Sequence, residues 1–171
     1  MSNHDVGYTA VTPELVVGAW RGYRVWRMSG DRLIGWWHTA YTWQPGGSEA
    51  ACTARRWNLF RGSSSRHPAL PAPQRDCRCG IYALHDPWDF NGELPAHVFG
   101  YSDVSNVVTG VVAGWGRAFR GEYGWRAQFA KPVALYRAQV LDPRVDRIAA
   151  RYGCPVVDQP GDLIAFARQR A

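Results

Sequence analysis

Residues 107–119, VVTGVVAGWGRAF, and residues 125–136, WRAQFAKPVALY, flank the segment Arg120-Gly121-Glu122-Tyr123-Gly124. Both runs contain β-branched and aromatic residues, and glycine punctuates the segment between them. That combination predicts an antiparallel hairpin with a longer, glycine-containing loop. Trp115 and Phe129 are expected to point inward. Gly110, Gly114 and Gly116 fall on one face of the first run. Glycine weakens a strand, so its repetition predicts close approach by a chain, a helix or a ligand. Pro132 cannot donate a ladder hydrogen bond, which predicts an edge or a bulge there.

A second hairpin is expected upstream. Residues 14–28, ELVVGAWRGYRVWRM, read as a strand, Ser29-Gly30-Asp31 as a turn, and residues 32–43, RLIGWWHTAYTW, as the returning strand. Gln44-Pro45-Gly46-Gly47 closes the pair. Trp20, Gly22, Arg24, Trp26 and Met28 share one face of the first strand. Tryptophan adjoins arginine at Trp20-Arg21, Trp26-Arg27, Arg56-Trp57 and Trp125-Arg126. Neighbours on a strand point to opposite faces, so tryptophan is expected inward and arginine outward. Residues 80–85, GIYALH, read as a short strand or the start of a helix.

The C-terminal segment carries the helix signal. Asp142 can cap, Pro143 suits the first helical position, and Val145, Ile148, Ala149 and Tyr152 form one apolar stripe that Gly153 ends. A second short helix is expected from Asp162 over residues 162–169. The fold class is therefore α+β: mainly antiparallel strands forming a small barrel or sandwich, with one or two C-terminal helices. No repeat or linker divides the 171 residues, so one domain is expected, with its core at about 14–157.

Composition sets the class of partner. The hydrophobic fraction is 46% and the charged fraction 20%, which fits a globular chain rather than a disordered one. No apolar run reaches the roughly 18 residues of a membrane helix, and residues 1–12 lack a secretory pattern. A cytoplasmic, reducing location is expected, where cysteines serve as ligands or buried thiols before they form disulfides. The net charge is +6, and Lys131 is the single lysine. Arginine grips phosphates and carboxylates bidentately, although a GC-rich genome would also favour it. Nothing in the sequence sets an oligomeric state.

Residues 61–76 are dominated by Gly, Ser, Pro and Arg and read as a loop. Loops this long are usually functional or mobile. Candidate ligands bracket it: Cys52, His67, Cys77 and Cys79. Three thiolates and one imidazole would make a closed tetrahedral zinc site that keeps the loop ordered. The Cys-x-Cys spacing is tighter than a common zinc knuckle. His85 is the alternative nitrogen ligand. Buried apolar thiols are the plain alternative. A catalytic one is Cys77 or Cys79 as nucleophile, with His85 or His67 as base and Arg75 or Arg78 lowering a thiol pKa. No Walker loop, Rossmann fingerprint or His-Glu-x-x-His occurs.

The segments Cys77-Arg78-Cys79-Gly80-Ile81-Tyr82-Ala83, Gly110-Val111-Val112-Ala113-Gly114-Trp115-Gly116-Arg117 and Gly124-Trp125-Arg126-Ala127 resemble a group of uncharacterised actinobacterial and phage proteins, over roughly residues 18–135. The resemblance implies no activity. It implies that the cysteine pair and the hairpin belong to one domain.

The expected function is a zinc-stabilised binding module for an anionic aromatic ligand, foremost nucleic acid or a nucleotide. Arg24, Arg117 and Arg126 would meet phosphate on one concave surface, and Trp26 or Trp36 would stack on a base. The alternatives are an enzyme using the cysteine–histidine cluster and a protein-interaction domain.

Overall fold

The predicted hairpin forms in the computed structural model of the chain, which describes residues 14–36, 41–52, 71–75, 77–86, 106–137 and 142–169. Strand β5 (Val107–Arg120) pairs antiparallel with β6 (Gly124–Tyr136). The other face-long partner of β5 is β1 (Glu14–Ser29), also antiparallel. A short strand, β4 (Ile81–Leu84), pairs with β6 on one side and reaches β1 on the other through Tyr23 opposite Leu84. Following the partners gives β1–β5–β6–β4 and back to β1, a partly closed ring. The expected α+β class is what the chain adopts, and of the barrel or sandwich foreseen the partly closed ring is nearer the barrel.

Gly114 makes the inner packing possible. A Cβ built there would lie 2.3 Å from the Trp125 ring. The close approach foreseen from the glycine pattern is thus filled at this position by a side chain of the opposite strand rather than by a ligand. Trp125 is 1% exposed and donates its indole N–H to Arg21 O at 3.1 Å. Inside the ring it joins Trp26, Leu33, Trp43, Val112 and Leu135.

Three strand expectations need correction. Trp115 and Phe129 do pair, stacked with centroids 5.9 Å apart, but both are half-buried. Gly114 faces inward, so alternation turns Trp115 outward. The run 32–43 is not one strand. β2 (Arg32–Gly35) stops early, and Tyr41–Trp43 returns beside it through Gly35 N–H to Tyr41 O and Trp43 N–H to Leu33 O, both 2.9 Å. The alternation of buried tryptophan with outward arginine holds at Trp26-Arg27 and fails at Trp125-Arg126, where Arg126 is only 5% exposed. Its face of the sheet is covered by Gln74, Arg75, Cys77 and Cys79, whose carbonyls it meets. Pro132 behaves as expected: the register shifts opposite it, with Val111 facing Ala134 and Val112 facing Pro132.

Helix α1 (Pro143–Tyr152) has the predicted stripe, with Val145, Ile148, Ala149 and Tyr152 buried. Asp142 accepts the Arg144 N–H at 2.9 Å. Tyr152 fastens the helix to the sheet, donating to Trp43 O at 2.9 Å and accepting from Leu33 N–H at 3.0 Å. Two short strands complete the sheet: β3 (Ser48–Glu49), and β7 (Val156–Val157), which is parallel to β6. Helix α2 (Pro160–Arg168) starts two residues before the expected Asp162 and has no side-chain cap. It packs Leu163 on the outer face against Tyr23, Val111, Ala134 and Val157. No helix among the described residues is long and apolar enough to cross a membrane.

Candidate metal centre

One edge of β6 builds the site. Ser48 pairs with Ala130 and Glu49 with Phe129, and Ala50 N–H bonds Gln128 O at 2.7 Å. The next residue of β6, Ala127, pairs with Ile81. Strands β3 and β4 therefore lie end to end along β6. The chain leaves this edge after Ala50 and returns at Ile81. Cys52, Cys77 and Cys79 sit at the neck of that excursion, where its two ends come together.

The three sulfurs lie within 4.8 Å of one another, and Cys52 Sγ is 3.8 Å from Cys77 Sγ. A tetrahedral zinc with Zn–S bonds of about 2.3 Å has S···S edges of about 3.8 Å, so this spacing suits a shared metal ion. It is far longer than the roughly 2.05 Å of a disulfide. All three cysteines are half-buried. Burial, followed by the neighbouring Cys77 sulfur, pushes the Cys79 thiol up to about 12. The fourth cysteine, Cys154, is buried in the core, where desolvation lifts its thiol to about 11. It takes no part in the cluster.

Arg126 organises the neck. Its Nη1 donates to Cys77 O, and to Cys79 O at 3.0 Å; its Nη2 donates to Gln74 O at 3.1 Å and Arg75 O at 3.4 Å. The guanidinium lies over the Phe119 ring, 4.6 Å from its centroid. Tyr82, paired with Arg126 across the strands, donates its hydroxyl to Arg78 O. Gly80 lets the chain turn tightly past this side chain: its φ is +133°, and an added Cβ would meet Arg126 Cβ at 3.1 Å. Arg126 thus holds both ends of the Cys77–Cys79 turn, and its cross-strand partner Tyr82 holds the middle residue, Arg78.

The candidate fourth ligands separate. His67 lies outside the described residues. His85 is at the far end of β4, with Nε2 3.1 Å from Gly121 O and its N–H on Tyr123 O. Six strand-like residues span about 20 Å, so His85 does not reach the sulfurs, either as ligand or as base. Among the described residues no further His, Cys, Asp or Glu joins the three cysteines.

The five residues expected to form a ligand surface do not converge. Arg24 and Trp26 meet around Trp43 inside the barrel. Trp26 is 0% exposed and cannot stack on a base as it stands. Arg126 is beneath the cysteine turn. Arg117 is half-buried near the bulge of β5, and Trp36 is half-buried with the Arg27 guanidinium 5.0 Å from its ring centroid. Sequence reasoning missed the clamping role of Arg126 and the part played by Trp43. A carbonyl acceptor leaves no trace in residue identity, so only the Cys-x-Cys-Gly turn itself marked the place. Compared with known proteins, the chain matches no family model, no curated protein and no solved structure.

Proposed function

We propose that the chain is a small binding module clasped by one structural zinc ion, with Cys52, Cys77 and Cys79 as thiolate ligands and His67 as the fourth. The clustering of the three sulfurs at the neck of the excursion is the observation that carries this reading. Burial and the neighbouring sulfurs oppose ionisation of these thiols, and a dication between them would offset that cost and hold them as thiolates. A nucleophilic cysteine would need a base beside it, whereas His85 sits at the far end of β4 on Gly121 O and three sulfurs converge instead. The structural metal is therefore preferred to the catalytic thiol, in a reducing compartment such as the cytoplasm. Elemental analysis of the purified chain should give one zinc per chain. Cys52→Ser and His67→Ala should each weaken it, and absence of stoichiometric metal in the wild type ends the proposal.

The ligand in this reading is anionic and aromatic, foremost nucleic acid or a nucleotide. The net charge of +6 supports it, as do the exposed Arg75, Arg78, Arg120 and Lys131. Arg126 drops out as a phosphate contact because its guanidinium is engaged with backbone. Binding to a single-stranded oligonucleotide should weaken steeply with salt, and Arg120→Ala should lower the salt slope by about one unit. No binding at low salt removes the nucleic-acid half and leaves the metal half standing.

A further inference from the structure

Arg24 and Arg126 are both covered guanidiniums, and neither pairs with a carboxylate among the described residues. Their surroundings differ. Arg126 donates to four backbone carbonyls. Arg24 donates to one, Tyr82 O. Its Nε is buried with no acceptor, as is that of Arg126, so the difference lies in the remaining guanidinium nitrogens and in the indoles beside Arg24. The guanidinium lies 5.0 Å from the centroid of the Trp43 ring, and Trp43 meets Trp26 edge-on at 5.4 Å. Both indoles are buried, at 1% and 0% exposure, and the Nε1–H of each is buried without an acceptor. Trp125, buried to the same degree, does have one, Arg21 O. Three side chains packed together at Trp43, one of them cationic, thus each carry a buried donor without an acceptor.

Their position is a seam in the barrel. β1 meets β4 only at Tyr23 opposite Leu84, and from Trp26 onward it pairs with β2 instead. Arg24 falls in the interval, and as a residue it is only partly covered. Charge and hydrogen bonding therefore ask for the same occupant. Water can satisfy an N–H but cannot balance a guanidinium held away from carboxylates. A carboxylate or phosphate oxygen does both, and guanidinium binds it bidentately.

We propose that this seam binds a small oxyanion, a phosphate or carboxylate group of a ligand, held by Arg24 with the indole N–H groups of Trp26 and Trp43. The site goes beyond the metal-clasped surface reading and stands if that reading fails.

The test is thermal melting of the purified full chain in inorganic phosphate and, separately, in acetate, with chloride keeping the ionic strength constant. A saturable rise in melting temperature is expected with at least one anion. Phosphate alone assigns a phosphoryl group, and a response to acetate assigns a carboxylate. Arg24→Gln should abolish the rise. Trp43→Phe leaves a smaller aromatic ring with no N–H and should weaken binding of the anion by about tenfold. Because Arg24→Gln can fail to fold, the Arg24 Nε–H resonance of the ¹⁵N-labelled wild type is also followed and should shift saturably as the anion is added. An unmoved resonance, no saturable response to either anion, or an unchanged response in folded Arg24→Gln overturns the site.

Discussion

Arg126 and Cys79 show how one residue's neighbours decide its task. The Arg126 guanidinium is matched to carbonyls of the turn that presents Cys77 and Cys79. Lysine would keep the charge but lose the planar fork that reaches several acceptors at once. Arg126→Lys should therefore weaken metal binding by about 10–100-fold, the usual cost of disturbing groups behind metal ligands. Competition with a chromophoric chelator measures it, and an unchanged affinity would show that the turn holds itself. The cysteines themselves were legible from their spacing. Arg126 was not, because alternation with Trp125 placed it outward. That rule assumes a sheet with one wet face. Here the turn covers the second face, so Trp125 and Arg126 are both buried.

Among the elements, long runs were readable and short ones were not. β1, β5 and β6 each exceed ten residues, and their alternation and glycine turns marked them. β3 and β7 are two residues each and exist only because a neighbouring edge offers a ladder. The run 32–43 misled because its residues suit a strand throughout, although the chain reverses within it. The hairpin's packing has a sharp consequence. Gly114→Ala would force a methyl to within 2.3 Å of the Trp125 ring. Overpacking of this kind costs about 1–3 kcal/mol, read as a lower denaturant midpoint; no change would mean that the indole slot has slack. Helix α1 carries a pH dependence. The Asp142 carboxyl is held below its ordinary range, first by its side-chain hydrogen bond with Arg144. A depressed folded pKa gives stabilisation that is full above the unfolded value of about 3.9 and fades as pH falls through the folded one. Acidification below about pH 4 should loosen α1. Helical circular dichroism should show the loss, and Asp142→Asn should make it shallower.

At the scale of the whole molecule, the cysteine neck rests on the barrel core, with Cys79 packed against it and Ala72 within it, but the core's largest side chains lie elsewhere. The inner core is built from Trp26, Leu33, Trp43, Trp125, Leu135 and Ile148, with Tyr152 of α1 bonded to the strands around it. None of these contacts requires a metal. The neck instead joins two points already neighbours on β6, Gln128 and Ala127, through Ala50 and Ile81. A metal there closes an excursion of the chain without bridging the halves of the core. Removing it should therefore open the neck and spare the barrel. This differs from a zinc finger, in which metal binding and folding are one event. Treatment with a strong chelator should leave the strand signal in circular dichroism and the cooperative melt in place. Hydrogen exchange should then speed up at the Cys77 amide, which bonds Gln74 O at 3.2 Å, while the paired amides of β5 and β6 stay protected. Arg126 would release its carbonyls in the same step, so exchange through residues 77–80 should rise together. Complete unfolding on chelation would make the metal part of the core after all. Exchange unchanged throughout would mean that the three sulfurs gather without one.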